Sequence, residues 1–263
     1  MNPADQTPPA APFYRKLRSF VRREGRMTDG QKSALERLWP RYGLDLPTAS
    51  ADASPQTIQT PTSATEGARG DTAPRATPHD LAQVFGRSAP VVFEIGFGNG
   101  DHLLARSAQE PQHDFIGVEV HRPGVGRVLH EAEKAGISNL RVSSDDAVEV
   151  LEQAIADSAL QEVVIYFPDP WHKTRHHKRR LIQPALVTLL ARKLARGGRL
   201  LLATDWAHYA EQMLEVVNAA PEFQNLAADG RYVPRHTTRP KTRFEARGER
   251  LGHAVFDLEY RRL

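Results

Sequence analysis

From residue 81 onward the chain alternates short apolar runs with longer amphipathic stretches. Residues 91–95 form an apolar run that predicts a first strand, followed by a glycine-rich turn and a helix from about Asp101. A second strand is predicted over 114–120, a helix over 128–135 stopping at Gly136, a third strand over 140–143 and a helix over 148–156. The β-branched run 162–167 predicts a fourth strand. A helix over 184–194 closes at Gly197-Gly198, and 199–204 is a fifth strand. Pro221 ends a further helix over 209–220, and the tail 254–260 alternates like a last strand. Continuous apolar strands separated by helices predict an α/β fold, a mostly parallel sheet with helices on both faces. Ligands of such sheets lie beyond the carboxyl ends of the strands.

The start of the chain is patterned differently. Thr28 or Asp29 can cap a short helix over 31–38, which Pro40 is expected to end. Leu35, Leu38 and Trp39 give that helix one apolar face, suited to docking on the main domain. Residues 46–80 hold five prolines, only two large aliphatic residues (Leu46 and Ile58) and no aromatic. Such a segment buries too little apolar surface to offset its ordering entropy, so it reads as a disordered linker. Three parts follow: a basic arm with a short helix (1–45), the linker (46–80) and one domain (81–263).

The absence of cysteine excludes a disulfide framework, a thiol nucleophile and cysteine-ligated metal. No apolar run has the length of a membrane span and residues 1–12 lack a signal-peptide core, so a cytoplasmic protein without membrane contact is expected. A monomer is the default. Charge changes the picture more. The segments 13–26, 172–180 and 231–250 each carry a net +5, against +3 for the whole chain, which leaves −12 elsewhere. Segregation of this kind points to a polyanionic partner, although three solvated loops would look the same.

The strand ends carry the candidate chemistry. After the first strand stands Glu94-Ile-Gly96-Phe-Gly98-Asn-Gly100. Its glycines allow a tight turn and close backbone approach to a ligand. The third glycine comes one position earlier than in the dinucleotide fingerprint, where Asp101 would crowd a pyrophosphate. Glu119, ending the second strand, can accept from both hydroxyls of a ribose, in NAD as well as in S-adenosylmethionine. Asp145-Asp146 follow the third strand; either can accept from an adenine amino group, and one can instead cap the next helix. The fourth strand runs into Pro168-Asp169-Pro170-Trp171, two prolines holding Asp169 at the sheet edge. His172, His176 and His177 do not suggest a metal site, because adjacent histidines seldom ligate one ion and no second ligand group is near.

The acidic residue before G-x-G-x-G resembles the first motif of class I S-adenosylmethionine methyltransferases. Tyr166-Phe-Pro-Asp-Pro-Trp171, continuing His172-Lys-Thr-Arg-His-His-Lys-Arg-Arg180, resembles the signature of the bacterial tRNA (guanine-N7-)-methyltransferases, the TrmB family. Arg22 to Thr28, Gly198 through Asp205 and Thr242 to Gly248 add to the likeness, which spans 13–45 and 81–263; the linker is an insertion. The resemblance implies a Rossmann-like class I methyltransferase fold, S-adenosylmethionine as cofactor and methyl transfer to the variable-loop guanine of tRNA, tRNA position 46. It implies that Glu94, Gly96, Gly98, Gly100, Glu119, Asp146 and Asp169 hold the cofactor and that Asp169 is catalytic. Substrate contacts fall on Lys173, Asp205, Thr242, Arg243, Phe244 and Glu245, and RNA contacts on Arg175, His176, His177, Lys178, Arg179 and Arg180. Trp206 and Tyr209 read as packing rather than base-stacking residues. Phe13, Tyr14 and Phe20, interleaved with arginines, suit RNA stacking or docking equally. Two rival functions are a class I methyltransferase for another RNA, a small molecule or a protein, and a catalytically silent RNA-binding module. Three basic segments argue against a small-molecule or protein substrate, and the intact acidic and glycine positions against a silent module.

Overall fold

The computed structural model describes residues 26–48, 77–236, 239 and 254–263. Seven strands form one sheet in the order β3-β2-β1-β4-β5-β7-β6. They are β1 Val91–Ile95, β2 Asp114–Val118, β3 Leu140–Ser143, β4 Leu160–Tyr166, β5 Leu194–Thr204, β6 Phe223–Asn225 and β7 Phe256–Arg262. The first five run parallel, while β7 lies antiparallel between β5 and β6. The helices are α1 Asp29–Tyr42, α2 Leu81–Phe85, α3 Asp101–Gln109, α4 Arg122–Lys134, α5 Ala147–Gln153, α6 Pro184–Lys193 and α7 Ala207–Asn218.

Strand alternation divides the core in two. Val91, Phe93 and Ile95 of β1, with Val163 and Ile165 of β4, pack under α5, α6 and α7. Val92 and Val164 point the other way, into a second layer closed by α1, α3 and α4. Because both faces are covered, the strands read as apolar runs rather than as alternating ones.

Two expected boundaries move, each for a local reason. The helix α1 does not stop before Pro40 but continues to Tyr42. Proline forfeits its own N–H bond and crowds the carbonyl four residues earlier, but here it falls in the last turn, where Gly43 N–H still reaches Trp39 O at 2.7 Å. Buried Tyr42 donates to Ile137 O at 2.9 Å and holds that turn down. The glycines at 197 and 198 do not close α6; they lie within β5. The β4–β5 register passes from Leu160↔Leu194 to Glu162↔Arg199, so 195–198 bulge out of the pairing. The short elements α2 and β6 carry no readable signal in the sequence, since neither is long enough to show a period.

Residues 28–44 pack on the domain. Thr28 caps α1 in a reciprocal box with Gln31, whose amide also donates to Pro123 O at 3.1 Å. Arg37 makes a bidentate pair with Glu133, and Leu44 N–H bonds Val142 O, which covers the β3 edge. The described residues on either side of 49–76 meet, with His79 Nε2 2.8 Å from Asp45 O; residues 49–76, expected to form most of the linker, and those before Arg26 lie outside the described residues.

The seat of α1 on α4 makes an opposed prediction. Helix propensity alone would have Gly126→Ala stabilise α4 by about 0.5–1 kcal/mol. A Cβ at Gly126 would stand 2.8 Å from Gln31 O, a backbone atom. We therefore expect Gly126→Ala to destabilise by about 1–3 kcal/mol, through overpacking. A thermal melt that moves upward would show that α1 is not seated there.

Candidate active site

The parallel strands end on one edge, and a cavity of about 380 Å³ opens there. Its wall includes Gly96 after β1, Glu119 after β2, Asp146 and Ala147 after β3, and Phe167, Pro168 and Asp169 after β4. The cavity forms at the switch point: α3 and α4 leave β1 and β2 toward one face, while α6 and α7 cover the other.

The glycine loop is shaped as its sequence demands. Gly96, Gly98 and Gly100 all take positive φ, at 74°, 57° and 78°, which residues with a Cβ rarely adopt. One carboxylate locks the loop to the neighbouring strand end. Glu119 Oε2 accepts from Gly98 N–H and Oε1 from His121 N–H, both at 2.8 Å. Charge-assisted bonds of this kind are short and strong, and the carboxylate they fix faces the cavity.

Glu94 sits differently from the expectation. It is buried on the α3 side and is absent from the cavity wall; its Oε2 meets His102 Nδ1 at 2.8 Å. The pair ties the end of β1 to the start of α3, so it braces the glycine loop from behind. Gly98 supplies an N–H to Glu119, and Gly100 stands at the N-cap of α3. Asp146 both lines the cavity and caps α5, accepting from Val148 N–H at 2.9 Å. Asp145 turns away to Ser143 Oγ. Cavity lining and helix capping thus fall on one residue of the pair.

The turn after β4 is strained. Phe167 and Trp171 have φ of 51° and 46°, with no glycine to relieve them. Such conformations cost of order 1–3 kcal/mol each and persist where surroundings over-determine them. Phe167 N–H bonds Ala203 O at 2.8 Å, and the Arg179 guanidinium lies 4.0 Å from the Trp171 ring centre. Asp169 stands exposed at the cavity mouth between these anchors. Asp205, half-buried, follows the last residue of the adjacent strand β5. Tyr166 lines the inner wall, and burial holds its phenol above the ordinary tyrosine range, so it stays protonated.

The basic run 173–180 folds into a 3-10 turn, Thr174–Arg179. Lys173, Arg175 and Lys178 are exposed, as an RNA contact requires. The histidines diverge: His172 meets Trp206, His176 meets Trp171 and His177 meets His208. Burial and the surrounding cations draw His176 below the usual histidine range, so it adds no charge at neutral pH. Arg180 departs from the expected set. It is 2% exposed, and its Nε and Nη1 bond protein atoms, which sets it apart from the exposed Lys173, Arg175 and Lys178. Thr242, Arg243, Phe244 and Glu245 lie outside the described residues.

A family model described as "Putative methyltransferase" matches residues 88–258. The tRNA (guanine-N(7)-)-methyltransferase of Stutzerimonas stutzeri is 51% identical over 262 residues, covering 100% of this chain and 98% of the relative. Those of Shewanella amazonensis and Ectopseudomonas mendocina are 53% and 52% identical, over 95% and 94% of this chain and 94% and 92% of the relatives. The chain belongs to the bacterial tRNA (guanine-N7-)-methyltransferase family. Among solved structures the 16S rRNA methyltransferase KamB aligns with a TM-score of 0.52 at 16% identity, over 72% of this chain and 97% of that one. The fold is that of the class I methyltransferases. The fold packs Tyr166, Arg180 and Arg239 around the end of β4. The sequence carries no signal for their burial beyond Tyr166 ending an apolar strand.

Glu119 as the lock of the glycine loop can be tested without any ligand. Glu119→Ala removes the acceptor of two backbone N–H groups, each bond contributing about 1 kcal/mol. Hydrogen exchange at Gly98 and His121 should accelerate roughly fivefold or more. Unchanged exchange at both amides would mean the loop holds its shape without the carboxylate.

Proposed function

We propose that this protein transfers the methyl group of S-adenosylmethionine to N7 of the variable-loop guanine of tRNA, at tRNA position 46, in the cytoplasm. The observation that carries the reading is the strained turn presenting Asp169 at the mouth of an acid-rimmed cavity, next to the exposed cations Arg175 and Lys178. The chain's relatives named tRNA (guanine-N(7)-)-methyltransferase support the substrate. No helix among the described residues is long and apolar enough to cross a membrane.

The cavity fits the cofactor by size and by donor set. Its volume lies within the roughly 300–1,000 Å³ usual for small-molecule sites. Glu119 would take the ribose hydroxyls, Asp146 the adenine amino group, and Gly96 the methionine portion, with Glu94 and His102 bracing the loop. When bound, S-adenosylmethionine supplies an electrophilic methyl on a cationic sulfur.

The chain's own work is placement and charge. Guanine N7 carries a lone pair and no proton, so no strong general base is needed, which agrees with Tyr166 staying protonated. Methylation builds positive charge on the purine, and a carboxylate fixed at the cavity mouth favours that charge. Asp169 fills this role. Asp205 and Glu245 would accept from guanine N1–H and its amino group, selecting guanine over adenine, and Lys173 would donate to O6 or hold a phosphate. Thr242, Arg243 and Phe244 would complete the substrate contacts. His176, His177 and Arg179 would add to the tRNA surface begun by Arg175 and Lys178.

Incubated with labelled S-adenosylmethionine and unmodified tRNA transcripts, the purified protein should yield 7-methylguanosine, and replacing the guanine at tRNA position 46 should abolish it. Label in protein or on an exocyclic amine would refute the reading. Asp169→Ala should slow single-turnover transfer by about 100-fold, the scale of losing a preorganised transition-state group. Its tRNA affinity should hardly change, since phosphate contacts dominate binding. Near-normal turnover in that variant would remove Asp169 from the mechanism.

A further inference from the structure

Of the five cations in 173–180, one is turned inward. Arg180 Nε donates to Pro170 O at 2.8 Å, inside the turn that carries Asp169. Its Nη1 donates to Gln212 Oε1 at 2.6 Å and lies 3.1 Å from His208 Nδ1, both on α7. The guanidinium carbon sits 4.8 Å from the ring centre of buried Tyr209, whose hydroxyl accepts from Ile182 N–H. One planar fork thus joins the catalytic turn to the helix that follows β5.

A second buried arginine grips the turn's other end. Arg239 pairs with Asp257 of β7 at 3.2 and 3.0 Å and lies 5.3 Å from the Phe167 ring centre. The two left-handed residues, Phe167 and Trp171, therefore stand between arginines that face the interior. A carbonyl in an unrelieved strained turn is where a rigid donor has most effect, because it selects one of several turn conformations.

We propose that Arg180 is a positioning residue: it holds the Phe167–Trp171 turn, and with it Asp169, in register with the methyl donor, and does not bind tRNA. This rests on the reading of the site as a tRNA methyltransferase. A phosphate contact needs a solvated donor, and Arg180 has its Nε and Nη1 committed to the protein. Lysine cannot replace it, since one ammonium cannot reach Pro170 O and α7 in the same fixed plane.

The test uses the full chain and three readouts: single-turnover rate at saturating tRNA and cofactor, tRNA affinity across a salt series, and affinity for S-adenosylhomocysteine. Arg180→Lys and Arg180→Ala should each lose about 10- to 100-fold in the saturated rate, the scale of a misplacement of roughly 1 Å. Their tRNA affinity and salt slope should match the wild type. The Arg175→Ala/Lys178→Ala protein should differ from both in its binding: weaker tRNA affinity and a slope reduced by about 0.7–0.9 for each phosphate no longer neutralised. S-adenosylhomocysteine should bind several-fold more weakly to Arg180→Ala, because Phe167, Pro168 and Asp169 line the cavity. Gln212→Ala keeps the buried charge and removes its 2.6 Å acceptor, together with the 3.2 Å donation from Gln212 Nε2 to Ile182 O, so it should lower the saturated rate by a smaller factor even if the arginine variants fail to fold.

A normal saturated rate with a shallower salt slope would make Arg180 a phosphate contact and overturn the proposal. A normal rate and slope together would overturn it too, since the turn would then hold itself. If the wild type methylates no tRNA, the functional reading fails, and the cofactor-affinity comparison still decides whether Arg180 holds the turn.

Discussion

Two strands adjacent in space and far apart in sequence, β1 and β4, create this site. Their outward neighbours run in opposite sequence order, β2 and β3 on one side and β5 on the other, so the connecting helices diverge to opposite faces. The gap they leave above the carboxyl edge is the cavity, and each strand end contributes to it whatever residue follows its last apolar position. That constraint explains why the chemistry is dispersed over more than seventy residues and yet meets: Gly96, Glu119, Asp146 and Asp169 are one turn past four strands that must be buried.

Around that edge, backbone shape is enforced by charge. Glu119 closes the glycine loop by accepting from Gly98 and His121, and Glu94 with His102 braces it from the rear. On the opposite wall Arg180 and Arg239 engage the strained turn. These charges act where they are partly or wholly withdrawn from water, so each bond carries more weight than a surface pair. Exposed pairs such as Lys32 with Asp29 contribute little by comparison.

The basic segments therefore divide into two kinds of cation that composition counts alike. Arg175 and Lys178 remain solvated beside Asp169, as electrostatic attraction of a polyanion requires. Arg180 and Arg239 belong to the core. Net charge measures the first kind only after the second has been subtracted, and that subtraction needs the folded arrangement.

Much of the molecule was legible in the chain. Period and apolar run length gave the five parallel strands, the helices between them and the alternating last strand, because buried parallel strands cannot tolerate polar interruption. The positions of the acids and glycines at the strand ends were legible for the same reason: the end of each apolar run marks where the chain reaches the carboxyl edge of the sheet. Boundaries slipped where tertiary contacts outweighed local preference, at Pro40, held by the Tyr42 anchor, and at Gly197-Gly198, drawn into β5 by pairing with β4. What only the folded molecule decided was the direction of each polar side chain. Asp146 faces the cavity and caps a helix while Asp145 does not; Glu94 turns to His102; Arg180 turns inward although Lys178, two residues earlier, turns out. Sequence dictates which residues stand at the edge, through burial of the strands before them, but a side chain's direction depends on partners distant in the chain, and those exist only after the sheet has assembled.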